Sequence, residues 1–69
     1  MKLKYLLKLM DADEEIVLHY SANFYEDYSD YEYLHVKDIQ YKYLDRKVAH
    51  VGAFIQDGES YVLIALNDE

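Results

Sequence analysis

The chain has 69 residues, 14 Asp and Glu against 7 Lys and Arg for a net charge of −7 with the three histidines neutral, and no cysteine or proline. That length suits one domain, residues 1–69, with a limited core. The missing cysteines exclude disulfides, thiolate metal sites and cysteine nucleophiles together, and the charge opposes direct binding of DNA, RNA or anionic lipid.

In chain order, the first segment, Lys2 to Met10, satisfies two periods at once. Leu3, Leu6, Leu7 and Met10 fit a helix, and Leu3, Tyr5, Leu7 and Leu9 fit a strand; good helix formers with no β-branched interruption favour the helix. The acidic string Asp11, Asp13, Glu14, Glu15 reads as a turn into a strand from Glu15 to Ala22, with Ile16, Leu18, Tyr20 and Ala22 as its core face and Val17, His19 and Ser21 opposite. A second strand runs from Tyr31 to Lys37, Leu34 and Val36 on one face and Tyr31, Tyr33, His35 and Lys37 on the other. Asp38 is placed to cap a helical turn reaching about Asp45, with Ile39, Tyr43 and Leu44 inward. The strongest local signal is the last one: Val48 to Gln56, the pair Asp57-Gly58, then Glu59 to Leu66, a hairpin on a two-residue type I′ turn. That turn sets Ile55, Ala53, Val51 and Ala49 opposite Ser60, Val62, Ile64 and Leu66 on one face, and Phe54, Gly52 and His50 opposite Tyr61, Leu63 and Ala65 on the other. The expected fold is α+β: a short N-terminal helix and a four-stranded antiparallel sheet of two hairpins joined by a short helical turn.

Few residues are arranged for catalysis. His19 and His35 fall on one face of the first hairpin, a start for a zinc site, yet no tight ligand spacing accompanies them and ordinary strand histidines are the better reading. Asp11, Asp13 and Glu15 alternate like calcium ligands but lack the turn glycine and the distal glutamate. Ser21, Ser29 and Ser60 have no nucleophile context, and no glycine loop cradles a phosphate. The expectation is a protein that is not an enzyme and takes no metal or cofactor. The opening MKLKYLLKLM is interrupted by Lys4 and Lys8 and is too short for a signal core or a membrane span, so a cytoplasmic location without membrane contact is expected. A 69-residue chain without staples also leads us to expect a homo-oligomer.

Between Phe24 and Tyr33 the chain reads FYEDYSDYEY, with four carboxylates, four tyrosines and no cation. Seven of the nine tyrosines fall between Tyr20 and Tyr43, more than a core of this size absorbs. Tyrosine gives large contact area at low conformational cost, and spaced carboxylates steer a basic partner or imitate the phosphates of a nucleic acid. The candidate protein-binding set is therefore Tyr25, Glu26, Asp27, Tyr28, Asp30, Tyr31, Glu32 and Tyr33. A second set, Tyr41, Lys42, Tyr43, Arg46 and Lys47, interleaves rings and cations and suits a nucleotide at a subunit interface, although a core Tyr43 with a solvated cationic rim accounts for it as well.

The stretches LLKLMDADEEIVLHY, VKDIQYKYLDRKV and YVLIAL together resemble small acidic proteins encoded by phages and prophages of Gram-positive bacteria. In these a leucine-rich start leads into an acidic turn and strand, then a D-I…L-x-R-x-V stretch and a terminal hairpin; the tyrosine-rich middle departs from the pattern. The resemblance implies an accessory or inhibitory role, since some such proteins inhibit bacterial defence. The expected function is inhibition or sequestration of a basic host protein, such as one whose groove normally holds nucleic acid. The alternatives are a sponge for a nucleotide signal and a phage structural or assembly subunit.

Overall fold

The computed structural model describes residues 1–20 and 31–67. Their regular elements are α1 (Leu3–Leu7), β1 (Glu15–His19), β2 (Tyr31–His35), β3 (Val48–Gln56) and β4 (Glu59–Leu66), with 3-10 turns at Val36–Asp38 and Tyr41–Tyr43. The strands form one sheet in the order β2-β1-β4-β3.

Burial explains why the N-terminal segment is helical. Leu3 is fully buried and Leu6, Leu7 and Met10 pack on the core, one helical stripe, whereas a strand would have buried Tyr5 and Leu9, which are exposed. The helix is shorter than the stripe: residues 8–10 tighten into turns in which Leu9 N–H donates to Leu6 C=O and Met10 N–H to Leu7 C=O.

The sheet is mixed, which corrects the all-antiparallel expectation. β1 pairs antiparallel with β2, and β3 with β4, but the two pairs are joined by β1 and β4 running parallel, Ile16 beside Val62 and Leu18 beside Ile64. Residues 36–47 carry the chain from β2 at one edge to β3 at the other, which puts β4 in the interior. The physical reason is the apolar content of the strands: β1 and β4 hold the near-continuous runs IVL and VLIAL, and only central positions bury both faces of a strand. Val17 and His19, expected to face outward, are accordingly as buried as Ile16 and Leu18.

The crossing segment lies with α1 over one face of the sheet. Leu3 N–H donates to Arg46 C=O and Lys4 N–H to Leu44 C=O, and Val36, Ile39 and Tyr43 pack against the cluster of Leu3, Ile16, Leu18, Ile64 and Leu66. The single helical turn expected from Asp38 to Asp45 is instead two 3-10 turns, because Ile39 and Gln40 are extended between them. Asp38 ends the first turn rather than capping one, and its carboxylate lies 3.6 Å from His35 Nδ1. β1 ends at His19 and β2 at His35, with Val36 and Lys37 drawn into the first turn; Ser21 and Ala22 lie outside the described residues.

The final hairpin has the expected bounds, and Asp57 and Gly58 both take positive φ (53° and 81°), as a type I′ turn requires. Its register matches expectation from the turn to His50. There a bulge intervenes, so that Val48 rather than Ala49 faces Leu66. The bulge returns an apolar side chain to the core at the last rung, since Val48 packs on the cluster and Ala49 is exposed. Among the described residues no helix is long and apolar enough to cross a membrane.

Candidate functional site

The face of the sheet opposite α1 has no backbone layer over it among the described residues; side chains cover it. Its centre is Val17 and His19 of β1 and Leu63 and Ala65 of β4, all buried. The cover comes from the outer strands: Tyr31 and Tyr33 from β2, Phe54 from β3, and Tyr61 at the turn end of β4. Three strand spacings separate β2 from β3, roughly 14 Å. The rings nevertheless meet, Tyr31 to Phe54 at 5.8 Å and Tyr33 to Phe54 at 6.0 Å between centroids, so both sides lean inward over Val17 and Leu63. Tyr33 also meets Tyr31 at 5.8 Å and Tyr61 at 5.4 Å, both edge to face, the favoured geometry for ring quadrupoles. His19 stacks beneath on Tyr31 at 6.4 Å. His50 lies over Gly52, where an added Cβ would come within 2.9 Å of its Nε2.

At the hairpin end the rings border an open cleft of about 300 Å³ lined by Glu15, Tyr33, Gln56, Asp57 and Tyr61. The Tyr33 hydroxyl donates to Gln56 Oε1, and the Tyr61 hydroxyl donates to Glu59 Oε2 at 2.6 Å. That bond to Glu59, with partial desolvation and the negative charge of Glu59 and Glu15, pushes the Tyr61 phenol up to about 12. Tyr33 is raised as well, by desolvation first and then by Tyr31 and Asp57. Both phenols are therefore neutral hydrogen-bonding groups at physiological pH, and the charge of the cleft is that of Glu15, Asp57 and Glu59. The ion pairs among the described residues lie elsewhere, at Lys2 and Lys4 with Asp45, His35 with Asp38 and Lys37 with Asp13.

Carboxylates lie in both parts of the molecule, but the cations do not. All seven cations fall at residues 2–8 and 37–47, on α1, its flank and the crossing segment. The ring face carries none of them.

Of the sequence-derived docking set, Tyr31 and Tyr33 stand on the ring face, and Glu32 points to the opposite face, opposite Leu18. Tyr25, Glu26, Asp27, Tyr28 and Asp30 lie outside the described residues. Phe54, Tyr61, Glu15 and Asp57 complete the face and were not in that set. Pairing of Phe54 with Tyr61 was readable from the Asp-Gly turn; their approach to Tyr33 depends on the strand order. In the second set, Tyr43 packs against Tyr20 at 4.7 Å and on the core, and Arg46 donates to Tyr20 C=O at 2.9 Å and to Asn67 C=O. Those two side chains thus serve the packing and tie the end of β1 to the end of β4, while Tyr41, Lys42 and Lys47 stay exposed. His19 and His35 share a face but sit at opposite ends of the β1–β2 ladder, so they do not converge on one ion.

Comparison with family models, with curated proteins and with solved structures finds no match to this chain.

Proposed function

We propose that this chain is a binding protein that docks a basic host protein on its ring face and thereby inhibits or sequesters it, the role that the resemblance to small phage-encoded proteins implies. One observation carries the reading: a cluster of four aromatic rings and three carboxylates with no lysine or arginine among them, on a molecule whose seven cations all fall on α1, its flank and the crossing segment. The carboxylates speed encounter with a basic surface, and the rings supply the contact energy once water is displaced. The cleft between Tyr33 and Tyr61 receives one arginine or lysine side chain, held by the ring faces and by Glu15 and Asp57; a cation–π contact of this kind contributes about 0.5–2 kcal/mol. Tyr25, Glu26, Asp27, Tyr28 and Asp30 of the docking set read from the sequence have the same composition of rings and carboxylates and lie outside the described residues.

The test is capture from a host lysate, followed by titration of the recovered protein at several salt concentrations. Three baits are compared: wild type, Tyr33→Ala with Tyr61→Ala, and Glu15→Gln with Asp57→Asn. The expected result is a partner with a basic surface whose affinity falls as salt rises and which both variants lose. Equal recovery by all three baits, or binding indifferent to ionic strength, removes the proposal.

A further inference from the structure

The two edges of the sheet differ in how they meet solvent. β2 is five residues long and carries a charge, Glu32, at its middle. β3 is nine residues long and holds no Lys, Arg, Asp, Glu or proline from Val48 to Gln56. Long, uncharged edges are what folded proteins avoid, because their outward N–H and C=O groups template another strand. The N-terminal segment covers only the start of this one: Val48 N–H donates to Met1 C=O at 2.8 Å, and Lys2 bridges Lys47. Gln56 and Glu59 flank a two-residue turn and so form its hydrogen-bonded pair. The alternation of an antiparallel ladder then directs the N–H and C=O of Ile55, Ala53 and Val51 away from β4. Val51 and Ile55 are also large apolar side chains left 49% and 73% exposed.

We infer that the edge of β3 is a homodimer interface, two copies pairing β3 to β3 antiparallel about a two-fold axis at Ala53. This register uses every outward residue: Ala53 faces its own counterpart, and Val51 of each copy faces Ile55 of the other, twice, so the exposed apolar side chains cover each other. Charge selects the antiparallel sense and a second copy as occupant. The strand begins at the cationic pair Lys2 and Lys47 and ends at the acidic turn of Asp57, so antiparallel pairing brings each cationic end towards an acidic one, and parallel pairing would set like beside like. The two four-stranded sheets become one continuous sheet, with the core strip of each extended across the axis. The inference does not use the ring face and stands without the docking proposal.

Light scattering and sedimentation across a concentration series test it, with circular dichroism and amide exchange of β1 and β4 as folding controls. Wild type is expected to reach twice the 8.3 kDa of one chain. The pairing tightens with added salt because each copy carries −7, the opposite salt response to a basic partner. Val51→Lys with Ile55→Lys places like charges opposite each other and is expected to give a folded single chain. Val51→Lys with Ile55→Glu places opposite charges across the axis and is expected to restore the dimer. Ala53→Pro removes an outward N–H without touching the β4 ladder and gives a second route to the single chain if the lysine variant unfolds. A wild-type mass of one chain at every concentration, a dimer that survives the double-lysine change, or a folded lysine–glutamate variant that stays single overturns the inference.

Discussion

The two faces of this sheet bury their central residues almost equally, yet they are closed by different means. On one side Ile16, Leu18, Ile64 and Leu66 lie under α1 and the crossing segment, whose backbone groups are hydrogen-bonded to each other and whose leucines turn inward. On the other, among the described residues, Val17, His19, Leu63 and Ala65 lie under side chains, chiefly tyrosine and phenylalanine rings, with no backbone layer. A leucine cover has its apolar surface inside and its cations in water. A ring cover seals with one surface and leaves the other surface, with its hydroxyls and neighbouring carboxylates, facing solvent. The helix side therefore contributes mostly stability, and the ring side keeps the aromatic and acidic surface on which the proposed docking rests.

The largest effects separate these roles. Leu18→Ala empties a fully buried site beneath α1 and is expected to cost about 2–5 kcal/mol. That is comparable with the whole stability of a chain this short, about 3–10 kcal/mol. Tyr33→Ala removes a ring that is 42% exposed and is expected to lower stability by less, while abolishing partner capture. Urea denaturation beside a capture assay reads both. If Tyr33→Ala proves as destabilising as Leu18→Ala, the ring face is core and the contrast fails.

Two further substitutions probe how the helix-side cover is pinned. Arg46 bonds the carbonyls of Tyr20 and Asn67 while its guanidinium carbon sits 5.9 Å from the Tyr43 ring centroid, so Arg46→Ala is expected to cost about 2 kcal/mol. Arg46→Lys should recover only part of this: Nη2 alone donates to both carbonyls, which an ammonium can imitate, but the shorter side chain lacks the planar guanidinium that lies over the Tyr43 ring. Gly58→Ala forces a Cβ into φ +81°, an expected loss of about 1 kcal/mol, and should leave the ring face intact because the strands beyond the turn are untouched. Urea midpoints rank these two below Leu18→Ala; a neutral Arg46→Ala would show that the clamp is absent in solution.

How much was legible follows from the range of each signal. The Asp-Gly turn fixes its hairpin locally, and the strand bounds and cross-strand pairs near the turn could be read from residues a few positions apart. The helical stripe of Leu3, Leu6, Leu7 and Met10 was equally local. Strand order was not, because nothing near β2 states that β3 crosses to the far edge. The cue lay in comparing strands: IVL and VLIAL have no polar interruption, whereas YEYLH and VAHVGAFIQ do, and the uninterrupted pair takes the centre. The site was half legible for the same reason. Tyr31 and Tyr33 announced themselves by composition, but Glu15 joined them through the β1–β2 register, which no short turn fixes, and Phe54, Asp57 and Tyr61 only through the β1–β4 pairing. The bulge at Ala49 reflects competition for the last core rung, which no turn signal encodes.

The smallest expected effect at neutral pH belongs to Tyr61, and it tests whether the cleft has its described geometry. A phenol raised to about 12 in the fold, against 10.0 as its ordinary value, keeps its proton where the unfolded chain has lost it. The folded state then binds more protons than the unfolded one between those values. The stability this contributes is complete below pH 10 and declines as pH rises towards 12. Tyr61→Phe has no proton to lose, so its unfolding midpoint should fall less steeply with alkali than wild type, the other eight tyrosines titrating in both. At neutral pH the variant loses only a bond to an exposed carboxylate and should differ little. Denaturation series at about pH 9 and about pH 11 make the comparison. Parallel slopes for the two proteins would mean that the Tyr61–Glu59 bond does not persist, and with it would go the carboxylate-backed wall on which the proposed cation site rests.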